Sequence, residues 1–127
     1  MEKDIIEECK ESNYISEPVL VQKSDGTWRF TVDYRKINDK TVQGHYPLPR
    51  IDDILDQLQG NAILSKIDTE REYHQLRVKV EDRPKTAFRT SMGIFQYKRM
   101  PMGIKNAAAA FQRKMEQILQ GFCETYG

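Results

Sequence analysis

Apolar positions recur along this chain with two different periods, and the switches between them mark out its elements. Trp28, Phe30, Val32 and Tyr34 alternate with Arg29, Thr31, Asp33 and Arg35, the two-residue repeat of a strand with one buried face. Val19-Leu20-Val21 lies upstream and Ser24-Asp25-Gly26 lies between. Asp-Gly supplies the positive φ of a tight turn, so a β-hairpin is predicted. Ile51, Ile54, Leu55 and Leu58 then follow the i, i+3, i+4, i+7 spacing of a helix introduced by Pro47 and Pro49 and ended by Gly60. That pattern predicts an amphipathic helix packed through one stripe.

Ala62-Ile63-Leu64 leads into Asp68 as a short buried strand, and Leu76, Val78 and Val80 alternate with Arg77 and Lys79 as another. Strands over 86–90 and 94–98 are joined around Met92-Gly93. Asn106 is a natural N-cap for a helix opened by alanines, with Phe111, Met115, Ile118 and Leu119 on its core face and Gly121 closing it. Near the start, Ile5, Ile6 and Cys9 share one side of a short helix over 4–10, which Ser12 and Asn13 end. Hairpins interleaved with helices give an α+β class.

Composition narrows the function classes. A chain of 127 residues is the size of one domain. Its 20 Lys and Arg balance 19 Asp and Glu for a net charge of +1, which excludes a global basic signature for nucleic acid or membrane and leaves only local patches. No apolar run approaches the ~20 residues that cross a bilayer, and the start Met1-Glu2-Lys3-Asp4 is unlike a signal peptide. The expectation is an intracellular, cytoplasmic chain with no membrane partner. Cys9 and Cys123 have no second thiol at metal-binding spacing, so both are expected to be reduced and non-ligating.

The chemistry centres on Ser65-Lys66-Ile67-Asp68, followed by Tyr73-His74-Gln75. A carboxylate that closes an apolar segment is either a solvated turn former or a placed metal ligand. The surrounding blocks bear on that choice: Trp28-Arg29-Phe30-Thr31-Val32-Asp33-Tyr34-Arg35-Lys36-Ile37-Asn38, Tyr46-Pro47-Leu48-Pro49-Arg50-Ile51-Asp52-Asp53, Pro84-Lys85-Thr86-Ala87-Phe88-Arg89-Thr90, Met100-Pro101-Met102-Gly103 and Asn106-Ala107-Ala108-Ala109-Ala110-Phe111-Gln112. In that order and spacing, over about 19–121, the chain resembles the reverse transcriptases of gypsy-type LTR retrotransposons.

The resemblance implies a partial right-hand polymerase fold, with fingers over about 15–60 and palm and further fingers segments over about 61–127. It implies an RNA-directed DNA polymerase that adds dNTPs to a primer on an RNA or DNA template, using Mg²⁺ or Mn²⁺ in two-metal phosphoryl transfer. Asp68 matches the first palm aspartate, catalytic and metal-binding. Tyr73 matches the aromatic beneath the deoxyribose, where a flat ring leaves no room for a 2′-hydroxyl. Lys23 and Arg29 fall where the fingers hairpin presents cations to the triphosphate. Met102 and Gly103 match the segment beside the nucleotide, Met102 standing where an aromatic or Gln is usual. Asp33, Arg35 and Asn38 are assigned structural roles, and His74 a structural or template-side one.

The chain also departs from the pattern. The Tyr-x-Asp-Asp hairpin that carries the other metal-binding carboxylates does not occur in these 127 residues, and one aspartate cannot hold two cations ~4 Å apart. The expectation is an incomplete Mg²⁺ site without tight binding, little or no polymerase activity for this segment alone, and an unpaired edge beside the Asp68 strand that favours association. Glu72 replaces a usual Gly, Ala108 a usual Pro, and Lys105 a small polar residue. The remainder of a Pol polyprotein would be its partner. The alternative is a non-catalytic retroelement remnant that at most binds nucleic acid through Lys23, Arg29 and Arg35; an RRM-like module ranks last, because the interleaved basic and aromatic strand signature is missing.

Overall fold

A computed structural model describes residues 4–44, 47–70 and 72–126, without the side chains of 72 and 122–126. Tyr46 of the family block and Gly127 fall outside that set, as does the Cys123 side chain. The order of elements is β1 (Ile6–Glu8), β2 (Glu17–Gln22), β3 (Trp28–Asp33), α1 (Arg35–Lys40), α2 (Ile51–Leu58), 3₁₀ turns at Glu72–Gln75 and Val80–Thr86, β4 (Phe88–Thr90), β5 (Gly93–Tyr97) and α3 (Ala107–Tyr126). The mixture is α+β.

The hairpin pairs as predicted, but its apolar face is buried only at Val32 and Tyr34, while Trp28 and Phe30 toward the tip are exposed. β2 and β3 pair antiparallel from Glu17 opposite Asp33 to Gln22 opposite Trp28. The turn closes with Gly26 at φ +87, and Asp25 accepts from the Thr27 amide (2.9 Å) and hydroxyl (2.6 Å). A second sheet runs β1-β5-β4, all antiparallel. Ser16 joins the two sheets as a parallel bridge to Phe88, its amide donating to Ala87 (2.9 Å) and its carbonyl accepting from Arg89 (3.2 Å).

The core lies where these sheets meet. Ile5, Val32, Tyr34, Phe88 and Tyr97 are buried together, with Ile6, Ile37, Phe95 and Ile104 against them. Phe88 is 2% exposed; its ring lies 5.4 Å from Phe30, 5.3 Å from Tyr97 and 6.2 Å from Phe95. Tyr34 donates its hydroxyl to the Thr86 carbonyl (2.8 Å), and burial raises its phenol above the ordinary value. Thr86 in turn accepts from the Tyr97 amide and donates to the Arg83 carbonyl, so the polar groups inside this core are paired.

Several elements differ from expectation, each for a physical reason. Within 4–10, residues 6–8 form the strand β1 rather than a helix, after a turn at 4–5. Ile5 and Cys9 fall on one face under either period, and β5 offers a free edge, taken by Lys98 donating to Ile5 and Cys9 donating to Ile94. The strand predicted through Val80 is only a bridge at Arg77, since a 3₁₀ turn starts at Val80 and Pro84 has no amide to donate. α1, which the alternation did not predict, begins where the β3 pattern ends.

α2 has the predicted bounds, but its stripe is not packed: Ile51, Ile54, Leu55 and Leu58 are all exposed. Residues 62–64 are not a strand. Ile63 is 89% and Ile67 83% exposed, and among the described residues nothing pairs with this segment, so its backbone lacks the ladder partner that defines a strand. α3 continues through Gly121 to Tyr126, because one glycine costs a long helix only ~1 kcal/mol. Its Phe111 and Met115 are half-buried while Ile118 and Leu119 are exposed, so only the first half of the predicted face is covered. Asn106 does not cap α3 with its side chain, which bonds elsewhere.

Truncating Phe88→Ala removes the ring shared by both sheets. Urea unfolding should show a loss of about 3–5 kcal/mol, enough to unfold a domain of this size, whereas Ile63→Ala should stay within ~0.5 kcal/mol of the parent.

Candidate functional site

Two groups of sequence-predicted residues emerge, and the structure ties one of them together. Tyr73 lies in the 3₁₀ turn Glu72–Gln75, half-buried, with its ring edge-on to Phe111 of α3 (5.6 Å, 81°). Its carbonyl accepts from the Leu76 amide (3.0 Å), and the Leu76 carbonyl accepts from Met100 (2.8 Å). Tyr73 is thereby joined to the Met100-Pro101-Met102-Gly103 segment through two backbone bonds. Pro101 is fully buried, whereas Met102 is exposed. Gly103 turns the chain at φ +91, with the Tyr34 ring 3.8 Å from where a Cβ would stand.

Asn38 of α1 locks that turn. Its amide donates to the Gly103 carbonyl (2.7 Å), and its carbonyl oxygen accepts from the Lys105 amide (2.9 Å). Asn106 works alongside, donating to the Val42 carbonyl (3.0 Å) and accepting from the Gly44 amide (3.1 Å). The Asn38 clasp matches its structural assignment. The Asn106 clasp was not read from sequence, since its partners lie more than sixty positions away and leave no local pattern.

Lys23 and Arg29 form the second group, at the tip of the hairpin. Arg29 stands opposite Val21 in the register, and Lys23, two residues past Val21, closes the turn with Thr27 (2.7 Å). Both cations therefore project from the same hairpin face, exposed. Asp33 and Arg35 pair at 2.7 Å across the β3–α1 junction, not along one strand face. The Arg35 guanidinium, by hydrogen bond first and charge second, holds the Asp33 carboxyl at about 2. His74 packs its ring 6.2 Å from Tyr97, and its carbonyl accepts from Arg99.

Asp68 stands apart from both groups. It is exposed, in a segment without regular structure, and no hydrogen bond links residues 62–68 to any other described residue. Among the described residues no three His, Cys, Asp or Glu side chains gather into a possible cation site. The residues present therefore do not by themselves fit a divalent ion. No helix among them is long and apolar enough to cross a membrane.

Comparison with known proteins bears on the fold that carries these groups. Residues 21–126 match the family model for reverse transcriptase (RNA-dependent DNA polymerase). The chain belongs to the reverse transcriptase family. It is 41% identical over 120 residues to the Tf2-3 transposon polyprotein of Schizosaccharomyces pombe, covering 94% of this chain and 9% of that protein. It is 40% identical over 125 residues to the retrovirus-related Pol polyprotein from transposon 412 of Drosophila melanogaster, covering 94% and 10%. This reverse transcriptase segment thus spans about a tenth of the curated relatives it matches. Its fold is similar to that of a foamy viral protease-reverse transcriptase solved in complex with double-stranded DNA, with TM-score 0.74 and 21% identity, over 91% of this chain and 20% of that one.

Two measurements check the local geometry. Asn38→Ala should cost about 1 kcal/mol in urea unfolding and speed amide exchange at Lys105. By NMR titration Asp33 should ionise near pH 2, and in Arg35→Gln at a higher pH, still below the usual value because the residue-35 amide keeps its bond to the carboxylate. Because the folded value is depressed, the pair's stabilisation is complete above the usual value and lost as pH falls toward 2.

Proposed function

We propose that this chain supplies the fingers, over about 15–60, and palm and further fingers segments, over about 61–127, to an RNA-directed DNA polymerase that extends a primer with dNTPs. The observation that carries the reading is the Tyr73–Gly103 assembly. A ring held edge-on by Phe111, joined through Leu76 to the Met100 end of a segment whose turn Asn38 clasps, is firm support of the kind a sugar needs, since positioning within ~0.5 Å governs such sites. Tyr73 excludes a 2′-hydroxyl, Met102 and Gly103 bound the nucleotide, and Lys23 and Arg29 meet the triphosphate when the hairpin closes.

Asp68 is the one carboxylate this segment brings to a divalent-ion site, Mg²⁺ or Mn²⁺ by family. An ion would supply charge neutralisation at the transferred phosphoryl group. The described residues do not complete that site, so we assign the segment alone little or no polymerase activity. Template, primer and the rest of a Pol polyprotein are its partners in this reading.

Grafting residues 21–126 in place of the matching segment of a Pol polyprotein such as that of transposon 412 tests it by primer extension. The chimaera should extend primers with Mg²⁺, Asp68→Asn should abolish extension, and Tyr73→Ala should admit ribonucleotides. A folded chimaera that binds template but extends nothing would favour the non-catalytic remnant.

A further inference from the structure

The surface around Arg77 is cationic out of proportion to the chain. Arg77 lines three adjoining cavities of about 630, 520 and 300 Å³. The first adds Lys40, Lys79 and Lys85; the second adds Arg113 and Lys114; the third adds Arg83, Lys98 and Arg99. Among the described residues, nine lysines and arginines thus gather here, against Asp4, Glu7 and Asp82 as the acids. On a chain of net charge +1, such segregation creates a strongly positive face.

The three acids are already engaged. Asp82 pairs with Lys85 (2.8 Å), Glu7 with Arg83 (3.3 Å), and Asp4 with both Lys98 and Arg99. Lys98 chiefly, with Arg99 and Arg77 adding, holds the Asp4 carboxyl below its usual value. Arg77, Lys79 and Lys114 make no side-chain hydrogen bond or salt bridge among the described residues. Arg77 also faces Arg99 directly in an antiparallel bridge whose backbone bonds flank the pair, Val78 to Lys98 (2.9 Å) and Met100 to Leu76 (2.8 Å). That is the closer of the two cross-strand arrangements, and like charges there repel. Asp4, paired with Arg99, offsets part of that repulsion, and a bound anion would offset more of it.

We propose that this Arg77-centred face is a second strand-binding surface, separate from the nucleotide site, which takes the phosphate backbone of a single-stranded nucleic acid. None of Asp68, Tyr73, Met102, Gly103, Lys23 and Arg29 lines any of the three cavities. Three cation-bearing hollows in succession fit a chain of regularly spaced charges better than one isolated phosphate. Among the cations lie Leu76, Met100 and the half-exposed ring of Tyr14, over which Lys40 stands at 5.9 Å, an apolar and aromatic footing of the kind on which unstacked bases rest.

The test uses the whole chain and a short single-stranded oligothymidylate. With wild type, the oligonucleotide should protect Lys79 and Lys114 from acylation, read by mass spectrometry, and should still do so in a Lys23→Ala/Arg29→Ala variant. Each phosphate contact contributes about 0.7 to the slope of log affinity against log salt. An Arg77→Gln/Lys79→Gln/Lys114→Gln variant should therefore lose about 2 from that slope, whereas Arg77→Lys should keep it. Absence of protection in wild type, or a slope unchanged in the triple variant, overturns the proposal; protection by anionic vesicles but not by the oligonucleotide assigns the face to lipid and overturns it equally.

Discussion

The junction of the two sheets depends on the packing of Phe88. A two-stranded hairpin is marginal in water on its own, and β2 and β3 make one regular pairing, with each other. The hairpin is anchored by the Phe30–Phe88 contact, by the Ser16 bridge beside it, and by Tyr34 reaching the Thr86 carbonyl. The same ring meets Tyr97 and Phe95 of β5. Lys23 and Arg29 are therefore carried on a lever whose fulcrum is one buried aromatic, and the Gly103 turn hangs from the far side of the same core through Tyr34 and Asn38.

This arrangement divides the candidate site by its support. Tyr73 and Gly103 have rings and carboxamides holding them; Asp68 has neither. The apolar residues before it, Ile63, Leu64 and Ile67, and the stripe of α2 just upstream are exposed together. Burying apolar surface stabilises by roughly 25 cal/mol per Å², so uncovered residues in this number are a source of stability not realised within the described fold. The catalytic carboxylate of the proposal thus sits on the least supported stretch, while the groups that would shape the nucleotide sit on the best supported.

Legibility in the sequence followed the same division. The β2–β3 and β4–β5 hairpins and α2 could be read because alternation, Asp-Gly or proline and glycine punctuation act within a few residues. The failures were at elements decided by distant partners. Ile5 and Cys9 suit either a helix or a strand, and the edge of β5 chose the strand. Ala62-Ile63-Leu64 has strand composition and lacks a ladder. Asn106 has the chemistry of an N-cap, yet Val42 and Gly44 claimed its side chain. The family blocks singled out Tyr73, Gly103, Lys23 and Arg29, while the clustering of cations about Arg77 was invisible in a net charge of +1.

Native-state hydrogen exchange, followed amide by amide, tests the central claim that a Phe88-centred core supports the nucleotide-facing groups and leaves the Asp68 segment unsupported. Amides of the β1–β5 and β4–β5 ladders and of Leu76 and Lys105 should exchange slowly, while those of 62–68 should exchange near the rate of an unstructured peptide. Slow exchange across 62–68, matching that of β5, would mean instead that the segment is paired and that Asp68 is held as firmly as Tyr73.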